Sequence, residues 1–309
     1  MKLFESFNSL FELTQFFTDN LICKEFLKEQ RWRDGDIICP HCGQHHCKER
    51  TDGRFHCKKC GSNFSVLVGT IFENTKVSLV KWFIAIYLIS FHKNGISSVQ
   101  LAKDIRTTQD TAWHMLMKIR TLFSQDSFEQ LEGDVELDET YIGGKEKNKH
   151  TSKKTENTQG RSLKTKDAVF GAVQRNGNVI AKHVNDTKSE TLSSLIRSMV
   201  KSGSRIFTDE YVGYNSLRES EYTHSVIMHK NNEYVNGDVT TNRIEGFWNQ
   251  LKSMIMATYH FVSKGHLQRY VDESVFRYNT RKLKAGEIFT MLLGKVQSVV
   301  RQCDVELCA

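Results

Sequence analysis

Residues 134–144 read Asp-Val-Glu-Leu-Asp-Glu-Thr-Tyr-Ile-Gly-Gly. Asp134 to Ile142 reads as a β-strand, and Gly143-Gly144 ends it. Asp138 sits mid-strand. An acid inside an apolar strand is costly unless it is paired, hydrated or metal-bound. Glu136 shares its strand face by alternation and is its strongest rival as a ligand; Glu139 is a further neighbour. A lysine partner for Asp138 is the plain structural alternative.

Outward from this strand, strands and helices alternate. Ala168–Val173 and Val179–Val184 flank Asn176-Gly177-Asn178, a hairpin signal. Ser189–Val200 is amphipathic and helical, and Ser204–Thr208 is a short strand ending at Asp209. A short helix over Asn215–Ser220, a strand over Ser225–His229 and long helices over Asn242–Thr258 and Gly265–Arg281 complete the half. The order β-β-β-α-β-α-β-α is that of the ribonuclease-H-like fold, a mixed five-stranded sheet with helices. Two further acids belong to this set: Asp209 in Phe-Thr-Asp-Glu-Tyr, with Glu210 beside it, and Glu245 in the first turns of its helix. Two acids on separate strands and one on a helix can hold two magnesium ions about 3.5–4 Å apart. Ile244, Phe247, Trp248, Leu251 and Ile255 form one face of the Glu245 helix. Asn242, Glu245, Asn249 and Lys252 form another, and Lys252, two turns on, can hold a phosphate. The structural alternatives are a capping box from Asn242 to Glu245 and a turn begun by Asp209.

The other half opens on cysteine. Cys39-Pro40-His41-Cys42-Gly43 and Cys57-Lys58-Lys59-Cys60-Gly61 are two C-x2-C-G units with 14 residues between Cys42 and Cys57. Each places two thiolates on one ion, and together they make a structural, four-coordinate zinc site with no open position. Cys47, His41, His45, His46 and His56 are spare residues near it, read as surface groups. Cys23, Cys303 and Cys308 have no partner pattern.

Between the two halves, Leu79–Phe91 reads as a core helix. Ser97 caps a short helix over Val99–Asp104, Ile105–Thr107 turns, and Thr108–Phe123 is a longer helix with Ala112, Met115, Leu116, Ile119 and Leu122 as its stripe. This spacing fits a helix-turn-helix, as it fits many three-helix cores. Thr108, Gln109, Thr111, His114 and Lys118 lie mostly outside the stripe and are candidate DNA contacts; Trp113 is a weaker one. The stretch 145–166 carries eight Lys or Arg against two Glu. It is either a solvated loop or a phosphate-contacting one, with Lys153 and Lys154 as the named contacts.

With 43 Lys and Arg against 36 Asp and Glu among 309 residues, the net charge of +7 favours a nucleic-acid partner without establishing one. A single proline excludes Pro-rich linkers. The best apolar run, Trp82–Phe91, is half the length a membrane span needs. Only Lys2 precedes Glu5 and no apolar run follows, so a secretory signal is not expected; a reducing, cytoplasmic setting follows, in which disulfides are not expected.

Several stretches together resemble bacterial insertion-sequence transposases of the DDE class with an N-terminal zinc ribbon, the IS1595 type. They are CPHCG and CKKCG, GTIFENTKVSLVKWFIAIYLIS, GISSVQLAKDIRTTQDTAWHMLMKIR, ELDETYIGGK, FTDEYVGY, TNRIEGFWNQLK and HLQRYVDESVFRYN, spanning roughly residues 20–285. The resemblance implies DNA strand transfer with Asp138, Asp209 and Glu245 as the acids, followed by Lys252, and magnesium or manganese as cofactor. Some members use Asn as the third residue, which keeps Asn242 and Asn249 open. The implied partners are double-stranded DNA, both element ends and target, and a second or further copy of the chain on DNA. The expected layout is an N-terminal helical segment (1–30), a zinc ribbon (31–68), a helix-turn-helix module (69–130), the catalytic domain (131–285) and a C-terminal tail (286–309). A zinc-containing DNA-binding regulator, or a ribonuclease-H-like nuclease or resolvase, is the alternative.

Overall fold

The computed structural model describes residues 7–125, 129–144, 150, 152, 154–155, 162–219, 221–227 and 240–296. Lys153, Cys303, Cys308 and most of the 145–166 stretch lie outside the described residues. The chain forms two compact units, Met1–Phe123 with Lys282–Ala309, and Ser124–Arg281.

In the first unit, helices α1 (Leu10–Phe16) and α2 (Asn20–Arg31) start from side-chain caps, Ser9 to the Glu12 amide and Asp19 to the Leu21 and Ile22 amides. Strands β1 (Lys48–Glu49), β2 (Phe55–His56) and β3 (Asn63–Phe64) make a small antiparallel ribbon. It packs on α2 through Trp32 against Phe55, with ring centroids 4.9 Å apart, and through Lys28 on Glu49 at 2.6 Å. Helix α3 (Leu79–Phe91) is buried nearly all round, as its unbroken apolar run requires.

Helices α4 (Ser98–Asp104) and α5 (Gln109–Arg120) follow, capped by Ser97 and Thr108. Between them Arg106 takes the left-handed position (φ 49°) that ends α4. Its carbonyl accepts from Lys81 Nζ at 2.9 Å, which ties the turn to α3. The expected stripe of α5 is buried throughout, and the expected last turn of that helix tightens to a 3-10 turn over Thr121–Phe123.

The segment expected as a tail differs from the expectation. Residues 285–294 form a helix, α9 (Ala285–Gly294), whose Phe289 is fully buried against Phe17, Phe26 and Phe83. The helical segment, ribbon and helix pair are therefore one unit closed by the far end of the chain. Sequence order hid this, because the apolar spacing of ten residues does not say which surface they cover.

The second unit is a five-stranded sheet between helices. Its strands are β4 (Asp134–Ile142), β5 (Asp167–Gln174), β6 (Val179–Val184), β7 (Arg205–Thr208) and β8 (Thr223–Val226), in spatial order β6-β5-β4-β7-β8. The first three pair antiparallel; β7 and β8 add parallel. Asn176 takes the left-handed conformation (φ 61°) that lets the β5–β6 hairpin turn. Helix α6 (Ser189–Met199) covers Val135, Leu137, Phe170 and Ile206 on one face. On the other lie α7 (Asn242–Ser253) and α8 (Leu267–Asn279). The long helix expected to run to Thr258 changes at Met254 to a π-helical turn ending at Tyr259.

The outer edge of β6 is closed by side-chain amides rather than by another strand. Asn279 bonds both backbone groups of Val179, Gln125 both of Ala181, and Gln268 the amide of His183. This satisfies the ladder groups that an open edge would offer to another chain. No helix among the described residues is long and apolar enough to cross a membrane.

Candidate metal centre and catalytic site

The four cysteines converge. Sγ of Cys39, Cys42, Cys57 and Cys60 lie within 4.8 Å of one another, with Cys39–Cys60 at 3.7 Å and Cys42–Cys57 at 3.6 Å. Tetrahedral zinc with Zn–S near 2.3 Å sets S···S at about 3.8 Å, so the spacing fits zinc. The two knuckles are copies of one turn. Gly43 N donates to Cys39 O and Cys39 N to Gln44 O; Gly61 N donates to Cys57 O and Cys57 N to Ser62 O. Gly43 (φ 71°) and Gly61 (φ 70°) supply the left-handed residue each needs.

Donation from the Ser62 side chain and amide brings Cys60 down to about 6. The Gln44 amide pulls Cys42 the same way, yet burial and the neighbouring thiols leave it near 12. Four thiolates this close repel one another, and a divalent cation among them removes the repulsion. The spare residues have other work. His45 and His46 both meet Asp36, His56 meets Asn63, and Cys47 donates to Gln44 O.

In the sheet, the two acids of one β4 face separate into different roles. Glu136 is fully buried and caps α7: Oε2 accepts from the amides of Arg243 (2.9 Å) and Ile244 (3.2 Å), and Oε1 from Arg175 Nε at 3.0 Å. The rival ligand is thus a structural anchor. It also takes the place of the Asn242–Glu245 capping box weighed as the structural alternative: Asn242 is the first helical residue and the N-cap, Thr241, makes no side-chain cap bond.

Asp138, two residues along, accepts from Trp248 Nε1 at 3.0 Å, and among the described residues no lysine bonds it. Burial raises its pKa to about 7, and the charges of Glu139 and Asp209 add to the shift. Opposite Asp138 on β5 is Gly171, where a Cβ would stand 2.6 Å from Trp248 Cη2. The glycine is the seat of the indole. On the opposite face of β4, Glu139 accepts from the fully buried Tyr214 hydroxyl at 2.7 Å.

Asp209 lies one residue past the end of β7. The parallel register pairs Glu136 with Phe207, so continuing it brings Asp209 abreast of Asp138. One Asp209 oxygen accepts from the Tyr211 amide at 3.0 Å, the expected turn. Glu245 does not join this pair in a close ligand group. It is exposed, accepts from Thr241 Oγ1 at 3.1 Å, and lies one helical turn before Trp248. Asn242, Asn249 and Lys252 share its exposed face, as the periodicity implies. Among the described residues, the only group of three or more close metal-ligating side chains is the cysteine set.

Trp248, Arg175, Tyr214 and Gly171 were not legible as site residues. A glycine inside an apolar strand was the available signal, because it marks a close approach. In the first unit, Thr108, Gln109 and His114 are exposed on α5, and Thr111, Lys118 and Trp113 are half-buried. Lys154 is exposed.

Residues 130–279 match the ISXO2-like transposase domain family, and residues 20–63 the transposase zinc-ribbon domain. A Halobacterium salinarum protein of the transposable element ISH50 is 29% identical over 258 residues, 79% of this chain and 86% of that protein. A Haemophilus influenzae transposase-like protein is 32% identical over 107 residues, 33% of this chain and 81% of that protein. The chain belongs to the IS1595-type transposases.

Proposed function

We propose that this transposase binds the terminal inverted repeats of its own insertion sequence, cuts DNA at the element end and joins that end to target DNA. The carrying observation is the pair Asp138 on β4 and Asp209 just past the end of the adjacent parallel β7, with Asp138 pushed to about 7 by burial and by its acidic neighbours. A buried acid raised in this way beside other carboxylates is suited to a divalent cation, which offsets the cost of ionising it. The strand order and pairing support a ribonuclease-H-like catalytic fold.

In this reading Asp138, Asp209 and Glu245 hold magnesium or manganese, which supplies Lewis-acid activation of the attacking oxygen and stabilisation of the leaving one. Trp248 orients Asp138, and Lys252 takes a DNA phosphate. Water attacks the phosphodiester at the element end, the P–O3′ bond breaks, and the element keeps a 3′ hydroxyl. That hydroxyl then attacks a target phosphodiester; a new P–O3′ bond forms, the target's own breaks, and the proton passes to solvent.

The zinc ribbon and the α4–α5 helix-turn-helix bind the repeats, with Thr108, Gln109, Thr111, His114 and Lys118 toward the groove and Lys153 and Lys154 toward phosphate. Two ends must be handled at once, so the active form is a dimer or larger on DNA, in the cytoplasm at the nucleoid. The test is cleavage of a duplex carrying the repeats that flank the gene, with magnesium. Nicking at the repeat boundary by wild type but not by Asp138→Asn supports the reading. Binding without nicking would leave a zinc-containing DNA-binding regulator, and nicking without joining a nuclease or resolvase.

A further inference from the structure

The π-helical turn after α7 ends at a strained residue. His260 has φ 62° and ψ −45°, and Phe261 N donates to Tyr259 O at 2.7 Å across it. That is a γ-turn of the rare strained kind, adopted here by a residue that is not glycine. His260 Nδ1–H donates to Met256 O at 3.1 Å and holds the turn in place. Below it Tyr259 is anchored, its hydroxyl on the buried Glu273 at 2.8 Å and its ring 4.8 Å from Tyr270. The turn throws Phe261 outward: it is 78% exposed, the most exposed large apolar side chain among the described residues, and Met256 beside the turn is 62% exposed.

A strained backbone held by side-chain hydrogen bonds and ending in a bare aromatic ring calls for a ligand with a flat face. Charge says which kind. From Gly246 to Val271 there is no acidic residue, while Lys252, Lys264, Arg269, His260 and His266 all fall within that stretch. Lys264 meets Asp167 at 3.5 Å. An aromatic among cations fits a nucleobase held beside its phosphates.

We propose that Phe261 is a base-stacking wedge that receives an unpaired or unstacked base of the DNA being processed. The inference rests on the DNA-processing reading above and adds a contact to it. Tyr259 is 14 residues beyond Glu245, about 20 Å along a helix axis at 1.5 Å per residue. With a strand taken along that axis at about 3.4 Å per nucleotide, the expected place of the stacked base is roughly six nucleotides from the cut.

The experiment compares duplexes carrying the flanking inverted repeat, fully paired or with a single mismatch moved through the ten positions on each side of the cut. Wild type binds best when the mismatch lies roughly six nucleotides away. Phe261→Ala loses that preference by roughly 5- to 150-fold, as truncation of a stacking aromatic does, and binds the paired duplex unchanged. Phe261→Trp keeps it.

An unchanged mismatch preference in Phe261→Ala overturns the proposal. So does equal loss on paired and mismatched DNA. A change of oligomeric state with unaltered DNA preference reassigns the ring to a contact between copies. If wild type binds neither duplex, the DNA-processing reading falls first, and this inference falls with it. A melting temperature unchanged by Phe261→Ala excludes misfolding as the cause of any loss.

Discussion

Glu136→Gln separates the structural acid of β4 from the chemical one. Three donors converge on the Glu136 carboxylate: Arg175 Nε and the Arg243 and Ile244 amides. A carboxylate accepts on both oxygens, whereas glutamine offers one oxygen and an NH2. Whichever way the amide turns, it sets a donor against a donor, at Arg175 or at the helix amides. The Arg175 side chain is 15% exposed and that of Glu136 is fully buried, so solvent does not repair the loss.

Breaking a buried pair on one side costs about 3–5 kcal/mol. At about 2.1 cal/mol/K per residue, a unit of some 158 residues has an unfolding entropy near 0.33 kcal/mol/K, so melting falls by roughly 9–15 °C. Asp138→Asn, by contrast, keeps an oxygen for Trp248 and leaves melting unlowered. Thermal unfolding followed by circular dichroism at pH 7.5, in zinc-loaded protein without magnesium, reads both. A loss under about 1 kcal/mol for Glu136→Gln would refute the anchoring role and restore Glu136 as a candidate ligand.

Three further outcomes follow from the same structure. Gly171→Ala places a Cβ 2.6 Å from the rigid indole of Trp248; overpacking costs about 1–3 kcal/mol, and end cleavage falls while binding of the repeat persists, as a filter-binding and nicking pair would report. Folding raises Asp138 from 3.8 to about 7, so the folded chain holds a proton that the unfolded one releases, and stability without magnesium falls as pH rises through that window. Urea midpoints should record a loss of roughly 3 kcal/mol between pH 5 and 8, flattened by Asp138→Asn. Cys57→Ser should remove zinc, read by elemental analysis, and melt the first unit alone, because structural zinc contributes about 10–16 kcal/mol of apparent binding energy.

The order of strands and helices was legible because each carries its own local signal: the Gly143-Gly144 end of Asp134–Ile142, the stripe of α5, the two faces of α7. The zinc knuckles were legible because the thiols and the glycine they need are adjacent in sequence. What sequence could not show depends on distant partners. Glu136 and Asp138 have the same alternation and the same charge; only the arrival of α7 and Arg175 at one, and of Trp248 at the other, distinguishes them. Trp248 satisfies an apolar stripe while also donating its Nε1–H, so periodicity placed it in the core and stopped there. Helix α9 looked like a tail because its covering surface is made by residues more than 190 positions earlier. The strained turn at His260 carries no glycine to announce it.

The most direct test of the account is joining of a labelled, pre-cut element end into plasmid DNA with magnesium, comparing wild type with Asp138→Asn, Asp209→Asn and Glu245→Gln. Joined product from wild type, and none from the three variants while each still binds the end, is the expected result. Joining that survives Asp138→Asn or Asp209→Asn would contradict the account, and joining that survives Glu245→Gln alone would move the third role to Asn242 or Asn249.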